Sequence, residues 1–367
     1  MAYYSIFPEK TSTLYSHPDR LELNTGNDEI IELIKEKGNS GSDYYPSRIL
    51  IQFKSEDINK AYELNTLNPN LISGRITKVP ASLELFSTEH KNLGQLQELE
   101  IFPLSQSWNA GTGKYSDKPQ TSNGCTWKYS DNSIRTTNWS TDFTVYSSGS
   151  IESEIIKAGG GTWHTSIPAI FGNMKSTQSF NNVDILDINT DVSNQVYQWE
   201  KGYHDNNGFI IKYNNNIETY TSSSVGNLQF FSVNTHTIYP PKLTFKWDDS
   251  VHSSQSIAKT NGELNVSLYR NKKEYNQNDE ALIRLHVRDK YPTRQFTSSS
   301  NYLNPGYFTT SSFYSIRDAH TEEEIIPFDN DYTKLSADDE GMYFKLYIKS
   351  LQPERYYRIL FKHTNND

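Results

Sequence analysis

Short runs of strand-forming residues recur along the whole chain, each stopped by a turn signal, and this punctuation constrains the fold more than any other feature. They are Ser47–Phe53, Leu83–Phe86, Leu99–Leu104, Cys125–Tyr129, Gly208–Tyr213, Leu243–Trp247, Leu264–Tyr269, Ala281–Val287, Tyr343–Ile348 and Tyr356–Phe361. Leu264, Val266 and Leu268 alternate with Asn265, Ser267 and Tyr269, while Arg48, Leu50 and Gln52 alternate with Ile49, Ile51 and Phe53. A period of two sends one row of side chains to each face of a pleated strand, so each run has one apolar face to bury. The residue supply agrees: 25 Tyr and 17 Phe provide rings for a core that a disordered chain would lack. The expected class is all-β. At 367 residues the chain has room for two cores, and the expected architecture is two β-sandwich domains.

The conspicuous joint is Tyr239-Pro240-Pro241, followed by the run Leu243–Trp247 and a polar stretch from Asp248 to Gly262. The expected domains are therefore residues 1–247 and 248–367. Asp28–Glu36 reads two ways. Ile30, Ile31 and Ile34 suit a short helix capped by Asp28, yet Ile31 and Leu33 also alternate with charged residues as in a strand.

A net charge of −9 without a basic cluster argues against nucleic acid as a partner, because phosphate neutralisation needs grouped Lys and Arg. The chain starts without the basic and apolar segments of a secretory signal and has no long apolar run, so synthesis in a cytosol and no membrane partner are expected. With Cys125 alone, neither an intrachain disulfide nor a thiolate zinc site can form. Catalytic spacings are absent, including His-Glu-x-x-His, Gly-x-Ser-x-Gly and the dinucleotide glycine pattern. Gly172–Thr177 ends like a phosphate loop but carries Met174 where the backbone must approach a phosphate. Asp184, Asp187 and Asp191, and separately Asp329 and Asp331, could bridge a calcium ion, although a solvated loop face is the simpler reading. The expectation is a non-enzymatic protein without a cofactor.

Three resemblances add to this. Tyr15-Ser16 with Asn24-Thr25-Gly26, Ser47–Phe53, Ser105–Gly113, Asp191-Val192 with Val196, Trp199 and Gly202, then Asn207–Ile211 and Pro240–Phe245 follow one another as landmarks. In that order they resemble the DNRLRE family of β-sandwich modules, which are related to carbohydrate-binding modules. Asn109-Ala110 stands where that family has an acidic pair, and the literal DNRLRE string is absent. The resemblance implies a strand over Asp28–Ile34. Leu351, Pro353 and Tyr357 have the spacing Leu-x-Pro-x-x-x-Tyr, which resembles the tyrosine corner of immunoglobulin and fibronectin type III sandwiches and implies such a fold for residues 248–367.

Longer strings, among them Tyr4–Lys10, Ile238–Leu243, Asn261–Tyr269, Tyr314–Ala319 and Gln352–Tyr357, resemble structural proteins of marine contractile-tailed bacteriophages, cyanophages included. That resemblance implies a virion component of the neck, tail, baseplate or capsid surface, assembled in a bacterial cytoplasm and held by contacts with other virion proteins in a symmetric multi-copy array. Carbohydrate binding during host-surface attachment is the alternative, with glycan as the partner. For a docking protein, Trp108 and Tyr115 in one aromatic loop and Tyr302, Tyr307, Phe308 and Phe313 in another are the candidate interface anchors. The competing expectation is that these rings fold back over their own sheets.

Overall fold

The architecture is that of a computed structural model, which describes residues 2–38, 44–71, 78–91, 97–133, 136–140, 159–164, 174–180, 186–219, 225–252, 264–269, 271–291 and 306–363. In chain order the strands begin with β1 (Ala2–Ile6), β2 (Lys10–Tyr15), β3 (Ile30–Lys37), β4 (Tyr44–Gln52), β5 (Ala81–Leu85), β6 (Ser87–Lys91) and β7 (Gln97–Pro103). Next come β8 (Tyr129–Asp131), β9 (Thr137–Asn138), β10 (Ser176–Phe180), β11 (Ile188–Asp191), β12 (Phe209–Tyr213), β13 (Val225–Phe231) and β14 (Lys242–Trp247). The C-terminal set is β15 (Leu264–Tyr269), β16 (Glu280–Asp289), β17 (Ser312–Asp318), β18 (Glu324–Ile326), β19 (Ser336–Asp338), β20 (Gly341–Tyr347) and β21 (Tyr357–His363). Among the described residues three α-helices interrupt them: α1 (Ser55–Thr66), α2 (Ser193–Glu200) and α3 (Asn215–Thr219). The protein is all-β and its named strand pairs run antiparallel.

The chain divides into two compact units. The larger comprises Ile6–Lys60 and Pro80–Thr244, and the C-terminal unit comprises Phe245–Asp367 together with Met1–Ser5 and Ala61–Val79. The expected division at 247/248 thus misses two N-terminal pieces. The backbone N–H of Ser5 donates to Ser350 Oγ at 2.9 Å, and Tyr3 lies in the C-terminal core. Such partners, more than three hundred residues away along the chain, leave no local trace in a sequence.

In the larger unit the main sheet has the order β10-β7-β12-β4-β3-β13-β6. The start of β4 pairs with β3, and Ser47–Gln52 pairs with β2, so one long strand takes different partners along its length. Asp28–Glu36 resolves as strand from Ile30 onward, with Ile31 and Leu33 buried and their neighbours half-exposed. The alternation outweighs the weaker helical pattern. The run Cys125–Tyr129 departs from expectation. Cys125 N–H donates to Asn109 O at 2.7 Å and Thr126 N–H to Tyr129 O at 2.9 Å, a turn that drives Trp127 fully into the core. Burying an indole there outranks the β-propensity of its neighbours.

The C-terminal unit holds a four-stranded sheet, β15-β16-β20-β19, and a three-stranded sheet, β18-β17-β21. Their facing sides share one apolar core, in which the Tyr314 ring of β17 stacks on Phe344 of β20 with centroids 4.0 Å apart. Tyr357, the first residue of β21, donates its hydroxyl to Gln352 O at 2.9 Å beside buried Leu351, while Pro353 is exposed. The half-buried Tyr357 ring therefore pins the turn that leads into β21, as the Leu-x-Pro-x-x-x-Tyr spacing predicts.

Candidate functional site

The first aromatic loop is a clamp. Asn24, fully buried, donates from Nδ2 to Ala110 O at 2.7 Å and to Cys125 O at 2.8 Å, and its Oδ1 accepts Gly113 N–H at 2.8 Å. Backbone packs on backbone around it: a Cβ on Gly111, whose φ is +74°, would lie 1.9 Å from Asn123 O. Only glycine fits. Trp108 is buried, donates its Nε1–H to Asn207 O at 2.9 Å and has the Lys10 ammonium 4.4 Å from its ring centre. The landmarks Asn24-Thr25-Gly26 and Trp108–Gly113 thus hold the loop in shape, and Trp108 is a core residue.

Tyr115 is the exposed ring of that loop, yet Arg20 lies 4.9 Å from its centre and Tyr15 packs 5.5 Å away. Its backbone N–H donates to the Asp28 carboxylate at 3.0 Å. Burial pushes the Asp28 carboxyl up to about 6, despite that hydrogen bond and the nearby Lys114. A polar cleft of about 480 Å³ lies alongside, lined by residues that include Asn27, Glu29, Lys114 and His236.

Beneath the tryptophans of the larger unit lies a buried ion cluster. Arg48, Lys212 and Glu100 continue the row formed by Leu50, Ile210 and Phe102 on the same face of the sheet. Arg48 donates to Glu218 of α3 at 3.1 and 2.8 Å and to Gly160 O at 2.7 Å, between the rings of Trp127 and Trp163. Lys212 Nζ reaches Glu100 at 3.2 Å and Glu218 at 3.5 Å. Burial alone would raise the Glu218 carboxyl, but Arg48 and Lys212 hold it below the usual range. Charges so completely paired and enclosed hold structure together. Burial also pushes the Cys125 thiol up to about 12, leaving it a small core residue. Asp187 accepts both Ser87 N–H and Ser87 Oγ–H, and Asp191 caps Ser193. Asp329 accepts the N–H groups of Asp331 and Tyr332. Among the described residues no three His, Cys, Asp or Glu side chains gather as a metal site.

The second aromatic segment also folds inward. Phe308 and Phe313 are buried, and the Tyr307 hydroxyl donates to Asp338 O at 2.9 Å. Of the six candidate anchors, Trp108, Phe308 and Phe313 are therefore core rings, Tyr307 is half-buried, Tyr115 alone is exposed, and Tyr302 lies outside the described residues. Further exposed apolar side chains sit elsewhere.

On β15 the side chains of Val266 and Leu268 are 37% and 44% exposed, and Tyr269 and, on β16, Leu282 are exposed as well. Val266 pairs with Val287 and Leu268 with Leu285, both buried, and directly paired residues point to the same face. Val266 and Leu268 are thus directed toward the core side of the sandwich, where the described residues leave them more than one-third exposed. The opposite sheet shows the same loss. Tyr314 and Ile316 of β17 are buried, while Phe361 and Ile359, their partners on β21, are half-exposed. The sandwich is closed along β20 and open along one side. Periodicity had identified the apolar face of β15 correctly, but it carries no signal about whether a second layer covers that face.

No protein-family model matches the sequence, and no curated protein is significantly similar to it.

Proposed function

We propose that this chain is a structural component of a bacteriophage particle, of its neck, tail, baseplate or capsid surface, and that it works by protein–protein contact through the open side of its C-terminal sandwich. The observation that carries the reading is the pair Val266 and Leu268, core-directed yet more than one-third exposed in a unit whose other core-directed residues on β16 and β20 are buried. Apolar surface of this kind is worth covering by roughly 25 cal/mol per Å², and in a symmetric array the same modest contact repeats in every copy. The string resemblances to phage structural proteins point the same way.

A second reading, glycan binding during host attachment, draws on the polar cleft beside Lys114 and the exposed Tyr115. It is the weaker one because Arg20 and Tyr15 already pack against that ring. The paired substitution Val266→Asp and Leu268→Asp separates the two. Incorporation into particles is expected to fall at least tenfold with little change in the melting of the isolated protein, since both side chains are already exposed. Normal incorporation of that variant, together with glycan-array binding that disappears in Tyr115→Ala, overturns the contact reading in favour of the glycan one.

A further inference from the structure

The two uncovered rows lie on the same side of the C-terminal sandwich. Thr333 and Leu335 bond to β17 on its β18 side, and the chain continues directly into β19, the far edge of the facing sheet. The remaining edge, that of β21, therefore lies on the β15 side. Among the described residues β17 is the only hydrogen-bonding neighbour of β21. A strand at the edge of a sheet directs alternate N–H and C=O groups outward, ready to pair. An added strand about 4.8 Å beyond β21 and about 10 Å from the facing sheet would lie over Val266 and Leu268. Edge and apolar floor together define one strand position that no described residue occupies.

We infer that this position accepts an extended segment of a different polypeptide, which completes the sandwich as an additional strand. The inference rests on the protein-contact reading above and names the form of the partner. Two features of β21 specify its chemistry. Toward the core, the segment meets Val266, Leu268 and the half-exposed Ile359 and Phe361, so every second side chain is aliphatic. Toward solvent, β21 presents Lys362 and Arg358, the latter also paired with Glu322, on either side of Leu360, so acidic side chains suit the intervening positions. The same two cations disfavour a second copy of this chain. Antiparallel pairing of β21 with itself about Leu360 sets Arg358 directly opposite Lys362, and like charges facing each other across a ladder are destabilising.

The test uses the full chain and a fluorescein-labelled synthetic peptide of four Glu-Val repeats. Saturable binding is expected, weakened at least fivefold by Leu268→Asp and by Lys362→Glu, with a Lys-Val peptide restored by the latter variant. The decisive probes are two peptides N-methylated on alternate amides. An added strand offers one edge to β21, so methylation of one set should cost at least tenfold and methylation of the other less than twofold. Absence of saturable binding, equal loss from both methylated peptides, or indifference to Leu268→Asp each overturns the inference. Dimerisation of the full chain through β21, seen by sedimentation and lost in an Ile359→Asp variant, overturns it by making a second copy the occupant. If particle incorporation still depends on Val266 and Leu268 in any of these cases, the contact reading survives and only the added strand falls. If the peptide binds as described but incorporation ignores Val266 and Leu268, the strand position stands and the contact reading falls.

Discussion

The two units solve the same problem, covering the faces of an antiparallel sheet, by different means. In the larger unit, β4 is buried on both faces: Ile49 and Ile51 on one, Arg48 and Leu50 on the other. The second face is sealed by loops carrying Trp108, Trp127, Trp139 and Trp163, with a buried ion cluster where the apolar row ends. The C-terminal unit has an apolar core with stacked rings and no comparable buried cluster among the described residues, and it leaves β15 and β21 uncovered on one side. A unit that encloses charged groups must satisfy all of them internally, because an unpaired buried charge costs several kcal/mol. A unit with an apolar interior tolerates an open side and can complete it with a partner.

The comparison breaks first at Tyr307 and Phe308. If they belong to the C-terminal core, replacing both with Ser removes a buried ring and the bond to Asp338 O, at a cost of roughly 4–6 kcal/mol to that unit. Calorimetry should show the C-terminal transition collapsing while that of the larger unit stays put. An unchanged transition would return these rings to the surface and restore them as docking anchors.

Arg48→Ala probes the other unit. Glu218 is left buried beside Lys212 with its bidentate partner gone, so a loss of about 3–5 kcal/mol is expected in urea unfolding of the larger unit. Replacing the pair with Arg48→Met and Glu218→Leu should recover much of that loss. Failure to recover would show that the cluster contributes net stability beyond satisfying its own charges.

A smaller effect is expected at the turn into β21. Tyr357→Phe removes the hydroxyl that donates to Gln352 O and should lower C-terminal stability by about 1 kcal/mol, read from thermal melting. It should also loosen the start of the strand proposed to accept a partner, so peptide binding would weaken with it. Equal melting temperatures for the two proteins would show that the hydroxyl bond does not hold the turn.

A pH dependence is expected in the larger unit. Burial, with the His204 ring centred 4.2 Å away, lowers His164 to about 4. In the unfolded chain the same imidazole protonates near about 6.5, so between those values the unfolded state binds the extra proton. The His164 contribution to stability should therefore fall as pH drops from about 6.5 toward 4, against the opposite contribution of Asp28, whose carboxyl is pushed up to about 6. His164→Gln should raise the urea midpoint at pH 4.5 relative to that at pH 7 when compared with the wild type, and a parallel slope in the variant would remove His164 as its cause.

Local spacing was enough to determine the all-β class, nine of the twenty-one named strands and the turn held by Tyr357. Period two and turn chemistry act over a few residues, and they can be read wherever those residues stand together. The alternation of β15 marked Val266 and Leu268 as core-directed, and that of β4 placed Arg48 in the same row as Leu50. What lies against each row was decided only by tertiary structure. Arg48 became fully enclosed because Glu218, Gly160 and two tryptophans from distant segments converge on it. Val266 stayed open because no described strand extends the sheet beyond β21. Trp108, Phe308 and Phe313 went inward for the same reason: aromatic content names the residues able to bury area, but contacts between remote segments choose which of them spend it on the protein's own core.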